Sequence, residues 1–278
     1  MGLDKLNLTI YESIDSQLLE EIGSVYVSGR DKLYRYFCDL GHCQIMWHPH
    51  KFGPEGNSRI AYTKIDFSPK HFPSFNALLS ALQNYFPHNH DIGLNRFHIS
   101  RIDVKADIEN LPLDVVQARL FIKGLRRDSL NIFKSSIYMG SNPKVRIYSK
   151  TKELKARLKQ DRELTEWEQT IVDSEKELTR FEIMIKRPGL SLNELAQSPA
   201  SLVSYFDRLE FYDFEDDQNI SSAGGLQMLL RNTRREFRKP LEQFKADTMK
   251  QMIRQTFLNG INQWFDSGEQ APDEDIPF

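Results

Sequence analysis

The stretch "RFHISRIDVKADI", Arg96 to Ile108, decides the fold. Apolar and polar residues alternate along it, the spacing at which successive strand side chains point to opposite faces. Ile102 and Val104 take one face, while Arg101, Asp103 and Lys105 take the other. The same period marks "KLNLTIYE" (5–12), "QIMWH" (44–48), "RIAYTKIDF" (59–67), "SSIYMG" (135–140), "KVRIYSK" (144–150) and "LTRFEIMIK" (178–186) as strands. Between two of these, "GSNP" (140–143) is turn chemistry, so 135–150 reads as a β-hairpin.

Helices are expected where apolar residues recur at spacings of three and four. One is "PSFNALLSALQNY" (73–85) and another "PLDVVQARLFIK" (112–123), each opened by a proline. A charged helical region, 151–176, is expected to break near Thr165. Ser191 followed by Glu194 matches a capping box. Beyond residue 212 the texture changes: an acidic, Gly/Ser-containing stretch (215–225) leads into a helical segment, and the last twelve residues have a disordered composition. Hairpins without regular βαβ units predict an α+β fold, a largely antiparallel sheet with flanking helices. The expected division is a main domain over 1–212, a helical C-terminal segment over 213–266 and an acidic tail over 267–278.

Composition is globular, with 40% hydrophobic and 27% charged residues in a chain of 278. No apolar run approaches the ~20 residues of a membrane span. The start "MGLDKLNLTI" lacks the basic and apolar regions of a secretory signal, and Leu6 argues against myristoylation. Two cysteines, Cys38 and Cys43, make neither a disulfide framework nor a zinc site. The expected location is the cytoplasm. Net charge is −2, but the charges are segregated. Between Lys144 and Lys159 there are seven basic residues against one acid, Glu153, and "RNTRREFRK" (231–239) forms a second basic cluster. Acids pool in "LEFYDFEDD" (209–217) and in the tail. Such segregation suits a polyanion-facing side, and each cluster alone also suits a solvated helix face.

Three strands share one unusual face. It carries Arg101, Asp103 and Lys105 in the first, Arg146, Tyr148 and Lys150 in the second, and Arg180, Glu182 and Lys186 in the third. If these strands are neighbours, two carboxylates, a tyrosine and several cations converge. Asp103 and Glu182 offer hard oxygen ligands for Mg²⁺ or Mn²⁺. Tyr148 offers a hydroxyl nucleophile, and the cations favour its phenolate and hold phosphates. The combination points to attack by tyrosine on a phosphodiester. A solvated face laced with cross-strand ion pairs shows the same alternation and stays open at this point.

"ISRIDVKADI", then "IYMGSNPKVRIYSKTKEL", then "LTRFEIMIK" resembles rolling-circle replication initiators, both the Rep_trans-type plasmid initiators and the filamentous-phage gene II proteins. "IDFSPKHF" (65–72) is similar to a further phage segment, and the likeness covers roughly residues 1–200. The resemblance implies an HUH-endonuclease-like fold and a site- and strand-specific DNA nickase and strand transferase. Tyr148 would be the nucleophile, joined to the 5′ phosphate and later released when the strand is rejoined. Asp103 and Glu182 would be the metal site, and Lys150 would neutralise the scissile phosphate. Arg101, Lys105, Arg146, Arg180 and Lys186 would contact origin DNA, presented as a single strand or a cruciform. Many relatives bind metal through a His-hydrophobe-His strand, and here that slot reads Arg101-Ile102-Asp103. His98 lies on this strand in the opposite phase, which points it at the core. His48 or His50 would complete a metal shell if "QIMWHPH" pairs beside the active strands, while His88 and His90 are expected in a loop. Tyr138, Tyr34 and Tyr36 compete with Tyr148 for the nucleophile role.

In the C-terminal segment Leu229, Leu230, Phe237, Leu241, Phe244, Met252, Ile253, Phe257 and Ile261 form an apolar stripe expected to pack on the main domain. Arg231, Arg234, Arg235 and Arg238 are candidates for further DNA contact. The final Asp273, Glu274, Asp275, Ile276, Pro277 and Phe278 resemble the tip of bacterial single-stranded-DNA-binding proteins. That likeness implies docking to host replication proteins: a helicase, a primosome protein or a clamp-loader subunit. Two other readings stay in play, a non-catalytic DNA-binding adaptor and a conjugative relaxase.

Overall fold

The computed structural model describes residues 2–12, 14, 16–29, 32–50, 62–86, 93–122, 130–174, 176–212, 245 and 247–267. Several expectations therefore lie outside the described residues. They are the start of the 59–67 strand, His88 and His90, the segment with Arg231, Arg234, Arg235 and Arg238, and the tail from Asp273 to Phe278.

The alternating stretches become one ten-stranded sheet in which every neighbouring pair is antiparallel. In chain order its strands are β1 (Leu3–Ile10), β2 (Ser24–Val27), β3 (Tyr34–Asp39), β4 (Cys43–Pro49), β5 (Thr63–Phe67) and β6 (His98–Glu109). They continue, after a separate strand β7 (Leu120–Ile122), with β8 (Leu130–Phe133), β9 (Ser136–Met139), β10 (Lys144–Ser149) and β11 (Leu178–Lys186). Across the sheet the order is β2-β3-β4-β5-β1-β6-β11-β10-β9-β8. The chain is α+β, and the three chemistry-bearing strands β6, β11 and β10 are adjacent, as the shared polar face requires.

One face of the sheet is the core. Leu6, Leu8, Ile102, Val104, Phe181, Ile183, Val145, Ile147 and Ile137 are all buried there. Helix α1 (Ser16–Ile22) and helix α2 (Phe75–Asn84) contribute Leu19, Leu78 and Leu82, and Ser74 caps α2 by accepting from the Ala77 amide at 3.1 Å. The helix expected over 112–123 is shorter. Helix α3 (Leu113–Arg119) gives way to β7, whose three apolar residues pair antiparallel with β12 (Leu209–Phe211). A contiguous apolar run suits a buried strand as well as a helix, and here pairing decides.

Two departures from simple alternation shape the sheet. In β1 both Leu3 and Leu6 are fully buried, and an odd spacing is possible only with an extra residue between them. The β1–β6 register supplies it: Leu3 faces Val104 and Lys5 faces Asp103, with Asp4 left over. A second irregularity pairs Asn7 with Arg101 but Leu8 with Ile99, skipping Ser100. Beyond it the phase inverts, so Ile99 enters the core and His98 is exposed rather than core-facing.

The charged region breaks where its caps dictate. Helix α4 (Lys150–Leu158) and helix α5 (Glu166–Asp173) are separate, and Thr165 and Glu168 form a reciprocal capping box at the start of α5. Ser191 and Glu194 do the same for α6 (Leu192–Gln197). The last helix, α7 (Asp247–Asp266), buries Ile253, Phe257, Ile261 and Trp264 in the same core as the sheet. The Phe257 ring lies 5.2 Å from that of Phe206, and the Trp264 indole N–H donates to the Phe72 carbonyl at 3.0 Å. Met252, expected on this stripe, is 40% exposed, because its neighbour Ile253 holds the inward phase. Among the described residues no helix is long and apolar enough to cross a membrane.

Phe257 is fully buried, so Phe257→Ala removes its ring from the core between α7 and the sheet. The expected cost is about 3–5 kcal/mol, seen as a lower urea midpoint at unchanged slope.

Candidate active site

The polar face of β6, β11 and β10 is built rung by rung. Arg146 pairs with Glu182, which on its other side pairs with Lys105. Tyr148 pairs with Arg180, which pairs with Asp107. Directly paired residues share a face, so the antiparallel register alone brings these six side chains together. Asp103 lies one rung along, diagonal to Glu182, at a separation of about 7–8 Å for such positions.

Arg180 is a deeply held charge, with 4% of its side chain exposed. Its guanidinium donates to both oxygens of Asp107, at 2.6 and 2.8 Å, and to Asp4 at 3.1 Å. Asp4 is the extra residue of β1, and the bulge turns it onto this face, where it also accepts from Lys105 at 3.3 Å. Burial works against the Asp4 carboxylate, but Lys105 and Arg180 outweigh it and hold its pKa below the ordinary value. The buried Lys105 ammonium is shifted downward by desolvation and by Arg180.

Tyr148 is buried, with its hydroxyl donating to Glu182 Oε2 at 3.4 Å. The Arg146 guanidinium carbon sits 4.3 Å from the centre of the Tyr148 ring, and its Nη1 lies 3.8 Å from the same Glu182 oxygen. The cations were expected to favour the phenolate. Arg180 and Arg146 do pull the phenol pKa down, yet burial outweighs them and the group stays well above its ordinary 10. Glu182 is also raised, first by burial and then by the nearby Asp4 carboxylate, with Arg146 opposing. The Tyr148 hydroxyl thus donates to a carboxyl oxygen whose basicity burial increases, the arrangement in which a phenol can hand its proton to an ionised carboxylate.

The other expected residues divide. Arg101 grips Asp103 with two hydrogen bonds, at 2.8 and 2.5 Å, and Asp103 is almost fully buried. Lys186 remains exposed at the end of β11, where its backbone N–H donates to the Asn142 side-chain oxygen and its carbonyl accepts from the Asn142 side-chain nitrogen. Lys150, expected on a scissile phosphate, is instead the first residue of α4. Its ammonium meets Glu153 at 2.5 Å and Glu168 at 3.7 Å. Burial alone would raise Glu168, but the Thr165 amide, Arg157 and Lys150 hold it down at about 2, so Lys150 faces a permanent anion. β4 is separated from β6 by β5 and β1, roughly 14 Å at ordinary strand spacing, so neither His48 nor His50 joins the site. Tyr34 and Tyr36 lie farther still, on β3, whereas Tyr138 on β9 pairs directly with Arg146.

Asp103 and Glu182 have the right chemistry for Mg²⁺ or Mn²⁺, which commonly keep water and substrate phosphate as their remaining ligands. Among the described residues no group of three or more His, Cys, Asp and Glu side chains is arranged to hold a metal. Both carboxylates already have an arginine, but the side chains of Arg101 and Arg146 are 30% and 37% exposed and so have room to release them. The pair fits an open two-carboxylate site rather than a closed cage.

Sequence reasoning missed Asp4 and Asp107. Asp107 continues the Arg101-Asp103-Lys105 phase and was legible as the next member of that series. For Asp4 the signal was the three-residue spacing of Leu3 and Leu6. Comparison of the chain with protein-family models, curated proteins and solved structures finds no match in any of the three.

Asp107→Ala would leave the Arg180 guanidinium buried with Asp4 as its remaining carboxylate. A loss of about 3 kcal/mol in urea unfolding is expected, because one member of a buried ion pair has been removed. Arg180→Met with Asp107→Leu should recover much of it.

Proposed function

We propose that the chain initiates rolling-circle DNA replication as a site- and strand-specific nickase and strand transferase, with Tyr148 as nucleophile, on an HUH-endonuclease-like sheet. The observation that carries this reading is the Tyr148 hydroxyl against Glu182, with Arg146 stacked on its ring and Arg180 on the facing strand. In this scheme Glu182 accepts the phenol proton as the Tyr148 oxygen bonds to phosphorus. The bond from phosphorus to the 3′ oxygen breaks, the leaving oxygen takes a proton from water, and a 5′-phosphotyrosine remains. Attack by a 3′ hydroxyl reverses the exchange and rejoins the strand. Arg146 and Arg101, both partly exposed, would meet the phosphate oxygens. Asp103 and Glu182 would hold Mg²⁺ or Mn²⁺, whose charge polarises those oxygens.

A cytoplasmic protein of a phage- or plasmid-bearing bacterium fits this role. The final Asp273 to Phe278, with Phe278 and Ile276 as apolar anchors, would then recruit the helicase, primosome or clamp-loader protein that a nick needs. Arg231, Arg234, Arg235 and Arg238 would add salt-dependent DNA contact, as the exposed Lys186 would at the sheet, whereas Lys105, expected on DNA, is buried and taken up by Asp4. A second reading, a non-catalytic DNA-binding adaptor, draws on the 6% exposure of Tyr148 and the commitment of Lys150 to Glu153 and Glu168.

Supercoiled DNA of the replicon that encodes the chain, incubated with the protein and Mn²⁺, separates the two. The nickase yields open circles and an adduct that mass spectrometry maps to Tyr148, and Tyr148→Phe yields neither while still binding. Intact circles with wild-type protein would leave the adaptor reading. Glu182→Gln should slow nicking by about 10²–10⁴-fold if the carboxylate takes the proton. The active form of Glu182 is ionised and its pKa is raised, so the wild-type rate should fall with acidity from above the ordinary 4.5. That acid limb should be missing in the residual activity of Glu182→Gln. Deleting Ile276 to Phe278 should spare nicking of purified DNA and impair replication in cells.

A further inference from the structure

On the β10 side of Tyr148 the polar face continues onto β9 and β8, and its character changes from carboxylate-rich to aromatic and cationic. Phe133 and Tyr138 meet edge to face, with ring centres 5.9 Å apart and planes at 81°. The Lys144 ammonium lies 5.2 Å and the Arg146 guanidinium carbon 5.5 Å from the centre of the Tyr138 ring. Phe133 is opposite Ser136, and Ser136 is opposite Tyr148, so the shelf adjoins the tyrosine through two rungs.

Three features make this more than a packed corner. Phe133 is 56% exposed, an apolar ring left at the surface of the edge strand β8. The Arg146 Nε is buried and has no hydrogen-bond partner among the described residues, a donor without an acceptor. Lys134 follows Phe133 in the chain, Lys144 and Arg146 lie against the Tyr138 ring, and Glu182 is the carboxylate paired across from Arg146. Aromatic faces beside cations, close to a group that would attack a phosphodiester, suit an unpaired nucleobase with its phosphates on either side. In a duplex the base faces are covered by their neighbours, so such a shelf is useless there.

We propose that Phe133 and Tyr138 form a stacking shelf for a base of single-stranded DNA, with Lys144 and Arg146 on the adjoining phosphates, next to the phosphate presented to Tyr148. The placement beside Tyr148 rests on the function proposed above; the shelf itself rests on the rings and cations.

The test uses the full chain carrying Tyr148→Phe, so that no strand is cut, and a short fluorescein-labelled DNA oligonucleotide with one 2-aminopurine. Phe133→Ala and Tyr138→Ala should each weaken binding about 5- to 150-fold, the range that loss of one base–aromatic stack produces. Tyr138→Phe should keep the affinity, and 2-aminopurine quenching should vanish in the alanine variants. Phe133 is largely exposed, so its variant should melt at the wild-type temperature, which separates lost stacking from lost folding. Unchanged affinity and quenching in the double alanine variant would overturn the shelf, as would tighter binding of duplex DNA or of RNA of the same sequence. The two proposals fail separately. A Tyr148 adduct formed by a chain whose shelf variants bind normally removes the shelf alone. Shelf-dependent binding without any adduct removes the nickase alone.

Discussion

A guanidinium cannot be buried beside a hydrophobic sheet unless carboxylates come with it, and Arg180 imposes that condition on the whole polar face. Asp107 meets it from β6 through two parallel hydrogen bonds, and Asp4 meets it from β1. The register of three strands follows. If β11 slipped by one residue, Arg180 would enter the core and Phe181 would face the carboxylates, so the ion pairs and the apolar face enforce the same alignment. That alignment is also what sets Tyr148 opposite Arg180 and Glu182 opposite Arg146. Chemistry and stability are therefore decided by one set of pairings.

Burial gives this site its particular balance. Charge is concentrated on the polar face, yet the central side chains are nearly closed to water, so desolvation opposes every ionised form. Tyr148 and Glu182 respond by shifting toward their neutral states, while Asp4 is kept ionised by the cations around it. A phosphate arriving there would bring negative charge to Arg146 and Arg101 and loosen their hold on Glu182 and Asp103. The resting ion pairs stand in for the anion that the proposed substrate would supply, which is consistent with the orphaned Arg146 Nε.

Much of the sheet was legible in the chain. The span 178–186 is matched residue for residue, and the β9–β10 hairpin turns at the Gly140-Pro143 stretch as its composition implied. The helix breaks at Thr165 and Ser191 were legible because capping is local chemistry. Strands β2 and β3 and helix α1 went unread, since their short mixed patterns acquire meaning only by pairing. The exposure of His98 and the inward turn of Asp4 were hidden for a sharper reason. A bulge inverts the phase of a strand without altering its composition, and it betrays itself only as an odd spacing between buried residues, Leu3 to Leu6 and Ile99 to Ile102.

By itself the sequence determined which residues share a face, because a period of two is a property of the strand and needs no partner. Arg101, Asp103, Lys105, Arg146, Tyr148, Arg180 and Glu182 were placed together on that ground. Only the tertiary structure decided the distances and the partners. It seated Lys150 between Glu153 and Glu168, kept His48 and His50 several strands away, and laid Phe133 and Tyr138 beside the tyrosine. Those outcomes depend on strand order and helix placement, which are settled by burial summed over the whole chain and are written in no single stretch of it.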